Sequence, residues 1–115
     1  MGSQVLRTAV REILKEKEQE LNERGIQISP LFGTVEKMIS PDYKERFQAE
    51  YRQTKIRYEK LKRFCDRIEA AEMTNTKAPE HDCPTYLLRD QQRAMGEYLH
   101  ILEVRAIIEN VDLEG

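Results

Sequence analysis

Apolar residues recur through the middle of the chain in steps of four and three: Phe47, Tyr51, Thr54, Tyr58, Leu61, Cys65 and Ile68. That spacing keeps a narrow stripe on one side of an α-helix for three heptads, with charged residues between, and predicts a helix lying against a partner helix. Ser40-Pro41-Asp42 marks its start: serine can cap, proline fits the first helical position, and the acid meets the positive helix end. The helix is expected from about Pro41 to about Glu72. Met73 to Asp82 has the composition of a connector. Cys83-Pro84-Thr85 then repeats the proline start, with Asp82 or Cys83 as the expected cap, and predicts a last helix from Pro84 to Asn110. Its apolar residues, among them Leu87, Leu88, Leu99, Ile101, Leu102 and Ile108, span an arc wider than one partner can cover. The first helix or another protomer must cover the remainder.

Ahead of this hairpin, Val5, Leu6, Ala9, Val10, Ile13 and Leu14 fall at helical spacing. They predict a helix over about Gln4 to Arg24, capped by Ser3, ended by Gly25 and buried along its first half. Its second half, Lys15 to Arg24, carries one large hydrophobe, Leu21, and reads as a solvated extension with i, i+4 charge pairs. Residues 25–30 form a short extended piece. A short helix from about Pro30 to Ile39 follows, with Val35, Met38 and Ile39 on its apolar side. The expected fold is all-α: an antiparallel, coiled-coil-like two-helix hairpin over 41–113, an N-terminal helix and short connecting helix over 1–40, one structural domain in all, and a homo-oligomer.

Charge and composition narrow the functional classes. Charged residues make up 35% of the 115 positions, against about 25% in typical proteins. The net charge of -2 gives no global attraction to nucleic acid or to an anionic membrane, so nucleic acid is an unlikely partner. No apolar run approaches the roughly 18 residues of a membrane span, and the amino terminus lacks a secretory pattern, which points to the cytoplasm of whatever cell makes the protein. Cys65 and Cys83 are too few for a disulfide framework. His81, Asp82 and Cys83, even with Cys65, lack the paired spacing of a zinc site, so no metal is assigned: His81 is read as an exposed loop residue, Cys65 as a seam filler. His100 is read as an edge or surface residue. Gly33 and Gly96 are isolated and form no phosphate-cradling loop. The pattern assigns no catalytic residue, no cofactor and no enzyme activity.

One local cluster stands out. Between Tyr51 and Arg63, thirteen positions hold six basic residues and one acid. Within it Tyr51, Lys55, Tyr58 and Lys62 recur at i, i+4, i+7 and i+11, a spacing that puts rings and ammonium groups on one stripe. Such a stripe suits a phosphate-bearing ligand whose base stacks on a ring. The competing reading makes the tyrosines core or rim and the lysines cover for the seam.

The segments QAEYRQTKIRYEKLKRFCDRIEAAE and CPTYLLRDQQRAMGEYLHILEVRAIIENVDL resemble a family of small accessory proteins encoded in crAss-like and other tailed-phage genomes. The resemblance runs from about Tyr43 to Leu113. It implies a phage origin and an accessory role, and it carries over no functional residue. By analogy of architecture, small helical oligomers of phages sequester cyclic-nucleotide alarm signals of bacterial immunity. The leading expectation is therefore an anti-defence protein that binds a cyclic nucleotide at Tyr51, Lys55, Tyr58 and Lys62. The alternatives are an inhibitor of a host defence nuclease, acting through the charged extension from Lys15 to Arg24, and a virion or assembly component.

Overall fold

The computed structural model describes residues 2–27 and 29–114, with side chains from Val5 onward. Ser3 as a capping side chain, and Ile28 within the extended piece, lie outside the described residues. The order is α1 (Gly2–Glu23), a 3-10 turn (Pro30–Thr34), α2 (Val35–Met38), α3 (Tyr43–Met73) and α4 (Thr85–Glu109), with no strand among the described residues. The chain forms two compact units, Met1–Gln53 with Val111–Gly115, and Thr54–Asn110.

Helix ends follow from local backbone chemistry. At the end of α1, Gly25 takes φ +71°. Its N–H donates to the Asn22 carbonyl at 3.1 Å and the Ile26 N–H to the Leu21 carbonyl at 2.9 Å, which satisfies carbonyls that the helix leaves without partners. Asn75 repeats the device after α3 with φ 55°: the Asn75 N–H donates to the Glu72 carbonyl and the Thr76 N–H to the Ala71 carbonyl. Asn110 ends α4 in the same left-handed region. The start of α3 lies beyond the expected proline. Ser40 Oγ accepts from the Asp42 N–H, and Asp42 Oδ1 accepts from the Lys44 N–H at 2.9 Å. The Asp42 carbonyl takes the first helical bond, from Arg46, so Asp42 is the cap and Pro41 precedes it. Neither Asp82 nor Cys83 caps α4, whose first residue follows Pro84 without a side-chain cap.

In the first unit, α1 is joined to its neighbours by charge more than by apolar contact. Val5, Leu6, Ala9 and Ile13 are exposed, contrary to the expected buried first half, and only Val10, Leu14 and Leu21 are partly covered. The physical reason is length, because α2 is a single turn and cannot cover the whole apolar face of a helix of 22 residues. The Arg7 guanidinium instead donates to both Glu45 carboxylate oxygens, at 2.9 and 2.7 Å, and to Glu36 at 3.0 Å, while Arg11 also donates to Glu36. Hydrogen bonds from Arg11 and then Arg7 hold the Glu36 carboxyl down to about 2. Met38 and Ile39 are exposed; Leu31, Phe32 and Val35 are the partly covered residues of the connector. Buried Thr34 donates to the Leu31 carbonyl and accepts from Gln53 Nε2, both at 2.7 Å, so its burial leaves no polar group unsatisfied. Gln48 accepts from Lys37 Nζ and donates to the Asp112 carbonyl, fixing the chain end beside buried Val111.

The second unit is the antiparallel hairpin. Arg89 of α4 reaches Asp66 and Glu69 of α3, whereas Gly96, further along α4, meets Tyr58, earlier on α3. Partner numbers fall as α4 advances, which is the signature of antiparallel packing. The α3 stripe behaves as its spacing requires: Cys65 and Ile68 have 0% exposure and Tyr58 and Leu61 are half-buried. On α4 the matching stripe is Leu88, Gln92, Met95, Leu99, Leu102, Ala106 and Glu109, again in steps of four and three, and every member is buried or half-buried. The second half of the α4 apolar arc is not covered by the hairpin partner: Leu87, Ile101 and Ile108 remain exposed.

Candidate functional site

The four residues singled out by the basic and aromatic pattern lie in different settings. Tyr51 belongs to the first unit and is buried. Lys55, Tyr58 and Lys62 belong to the second. Lys55 is exposed; Lys62 is exposed and donates to Asp66 Oδ2 at 2.9 Å. That contact raises the Lys62 ammonium above its ordinary value, while Lys62 and then Arg89 hold the Asp66 carboxyl below its own. Tyr58 is half-buried and lines a groove.

The groove runs over the hairpin face of the second unit, holds about 780 Å³, and is lined by Tyr58 with Arg89, Gln92, Arg93, Gly96, Glu97, His100 and Ile101 of α4. Gly96 shapes it. A methyl group on its α-carbon would stand 3.3 Å from Tyr58 Cε2 and 3.6 Å from Cζ and Oη. The absence of a side chain there lets the phenol ring lie on the α4 backbone, and this explains a glycine in a helix interior, where it costs roughly 0.5–1 kcal/mol relative to alanine.

The charges around the ring are arranged in pairs. Arg89 forks between Asp66 Oδ1 at 3.2 Å and Glu69 Oε2 at 2.8 Å, and its Nη1 also donates to Gln92 Oε1 at 2.7 Å. Arg93 pairs with Asp90 at 3.0 Å, and both side chains are largely exposed. Exposed ion pairs of this kind are worth about 0–1 kcal/mol, so an arriving anion can exchange for Asp90 at Arg93 at little cost. The groove therefore offers one aromatic face with a hydroxyl, an amide, an imidazole and an exchangeable guanidinium. This is a set suited to holding a planar, anionic molecule by stacking and hydrogen bonds.

The periodic reading of α3 missed the α4 side of this groove. Arg89, Arg93, Gly96 and His100 recur at i, i+4, i+7 and i+11, a signal of the same kind as the tyrosine and lysine stripe. Gly96 was the pointer to the close approach. In the connector, His81 Nδ1 lies 2.9 Å from the Pro79 carbonyl, its ring meets Phe64 edge-on, and Cys83 is exposed. Among the described residues no three His, Cys, Asp or Glu side chains converge as metal ligands, and no helix is long and apolar enough to cross a membrane.

Comparison with curated proteins and with solved structures gave no match. A family model described as Sequestin matches residues 41–108, a span that contains α3, all of α4 but its last residue, and every residue lining the groove. With more than half of its length matched, the chain belongs to the Sequestin family.

Proposed function

We propose that this chain is a phage-encoded protein that counters bacterial antiviral defence by sequestering a nucleotide immune signal. The family name indicates a binding or sequestering role. The observation that carries the finer reading is the groove itself: Tyr58 laid on Gly96, with Arg93, Gln92 and His100 beside it, inside the span that defines the family. The base of the ligand stacks along the Tyr58 ring, and its phosphates take Arg93 in exchange for Asp90. Lys55 and Lys62 on α3 add positive charge toward the same ligand, and Tyr51 supports the helix that presents them. The working protein is a homo-oligomer.

Calorimetry with cyclic di- and trinucleotides and cyclic ADP-ribose isomers tests this. At about 100 µM protein, a signal with Kd of order 1 µM gives a saturating heat, and Tyr58→Ala and Arg93→Ala each weaken it at least tenfold. No heat with any of these compounds overturns the reading. A second reading rests on the exposed, charged stretch from Lys15 to Arg24, which suits contact with a basic channel of a defence nuclease. A stable stoichiometric complex with such an effector, lost when the acids of that stretch are changed to glutamine, would favour it.

A further inference from the structure

Along α3 the sequence mixes acids and bases, and the fold sorts them by face. At about 100° per residue, Arg57, Lys60, Arg63 and Arg67 fall within an arc of about 120° around the helix. The acids of the same stretch, Glu59, Asp66, Glu69 and Glu72, fall outside that arc. Asp66 and Glu69 are held on the other flank, by Lys62 at 2.9 Å and by Arg89 at 3.2 and 2.8 Å. The four bases of the arc are exposed, and among the described residues none of them has an ion pair or a side-chain hydrogen bond. Like charges three and four residues apart weaken a helix, so the chain itself gains nothing from setting them in a row. Net charge hid this ridge, because it averages over faces that the fold keeps apart.

We propose that the ridge is a docking surface for the phosphate backbone of duplex DNA, without preference for base sequence. Charge complementarity selects a polyanion. From Arg57 to Arg67 the ridge runs about 15 Å along the helix axis, beside a duplex that carries one negative charge per about 1.7 Å of its own axis. Contacts to phosphate fix position and carry no sequence information. The net charge of -2 does not prevent approach, since at 0.1 M salt exposed charges are screened beyond about 10 Å.

The rest of the face selects among anionic partners. Between Thr54 and Glu72 no large hydrophobe is exposed. A protein partner needs an apolar centre to its contact, and a membrane needs an apolar side to insert. A single strand needs open rings on which its bases stack. Tyr58 is half-buried in the groove, and Phe64 is half-buried and met edge-on by His81. A duplex backbone asks only for cations. Lys77 does not raise their number, because it lines a cavity of about 620 Å³ beside Arg67 in which Glu80 offsets its charge.

The ridge shares no residue with the groove, so it goes beyond the nucleotide reading and is tested apart from it. Fluorescence anisotropy follows the full chain on a labelled duplex of about 20 base pairs between about 50 and about 200 mM KCl. Four phosphate contacts are expected to give a slope of log K against log salt of about -3.6, a loss of about 150-fold over that range. Arg63→Gln with Arg67→Gln is expected to bring the slope to about -1.8 with unchanged helical circular dichroism, since neither side chain is bonded within the chain. Arg105→Gln, which removes a cation paired with Glu109 on α4, leaves the slope at the parent value. Absence of binding at the lowest salt overturns the proposal. So does a slope that survives Arg63→Gln with Arg67→Gln but falls with Arg93→Ala, which would place the phosphates in the groove. Polyglutamate or a single strand bound as tightly as the duplex overturns it as well, since the ridge would then serve an acidic protein or unpaired bases.

Discussion

Replacing Gly96 with alanine sets two effects of known size against each other. In an open helix interior the change gains about 0.8–1 kcal/mol, because glycine loses more backbone freedom on folding than alanine does. Here the new methyl would sit 3.3 Å from Tyr58 Cε2, so the ring must retreat by a few tenths of an ångström. Tyr58 is half-buried and faces an open groove, which gives it room to move. About ten ring-to-backbone contacts of 0.1–0.2 kcal/mol each, losing a quarter to a half of their depth, cost about 0.3–1 kcal/mol. The expected result is a net stabilisation of a few tenths of a kcal/mol, read as a rise of about 1–3 °C in Tm by circular dichroism at 222 nm. Ligand affinity moves the other way, because the displaced ring narrows the groove. In a Tyr58→Ala background the same replacement recovers the full gain of about 1 kcal/mol, and the double-mutant cycle then isolates the ring contact. Destabilisation above about 1 kcal/mol in the parent background would refute this, since the ring would then be locked in place. A full gain already present with Tyr58 intact would refute it from the other side, since the ring would then not rest on the helix.

Three further outcomes follow from the packing. Ile68→Ala, at a position with 0% exposure, is expected to cost about 2–5 kcal/mol in chemical denaturation; a cost below about 1 kcal/mol would mean that the hairpin seam collapses around the gap. Asn75→Ala is expected to lower stability by about 1 kcal/mol and Asn75→Gly by close to nothing, because φ 55° penalises a β-carbon that lacks local polar bonds. Glu36 has its folded value depressed from 4.5 to about 2, so its contribution is present above about pH 4.5 and is lost as the pH falls toward 2. The Arg7 and Arg11 side-chain Nε–H signals should therefore leave their folded positions within that window in an NMR titration, and a titration centred near 6 would overturn the assignment.

The hairpin was legible because burial imposes a period. Phe47 to Ile68 repeats in fours and threes, and each of those seven residues is buried or half-buried. Gly25 was legible for a different reason: it was the one residue near the α1 end free of a β-carbon penalty at positive φ. The α3 start was harder, since serine, proline and aspartate all favour a helix beginning. The side chain of Asp42, reaching two residues on to the Lys44 N–H, decided among them. Burial of α1 was misread because periodicity reports that an apolar face exists and is silent on whether enough chain remains to cover it. The groove was half legible. Tyr58 stood out, but its pairing with Gly96, 38 positions away in sequence, depends on how the two helices are aligned, which no local pattern encodes.

The two cysteines differ fully in accessibility, Cys65 at 0% exposure and Cys83 open to solvent. Under native conditions a thiol reagent should modify the chain once and rapidly. The second adduct must wait until the hairpin parts, so its rate of appearance is an internal clock for opening, legible by mass spectrometry without any added label. A ligand or a second copy that binds only the closed hairpin would slow that clock, which turns an otherwise inert sulfur into a gauge of association.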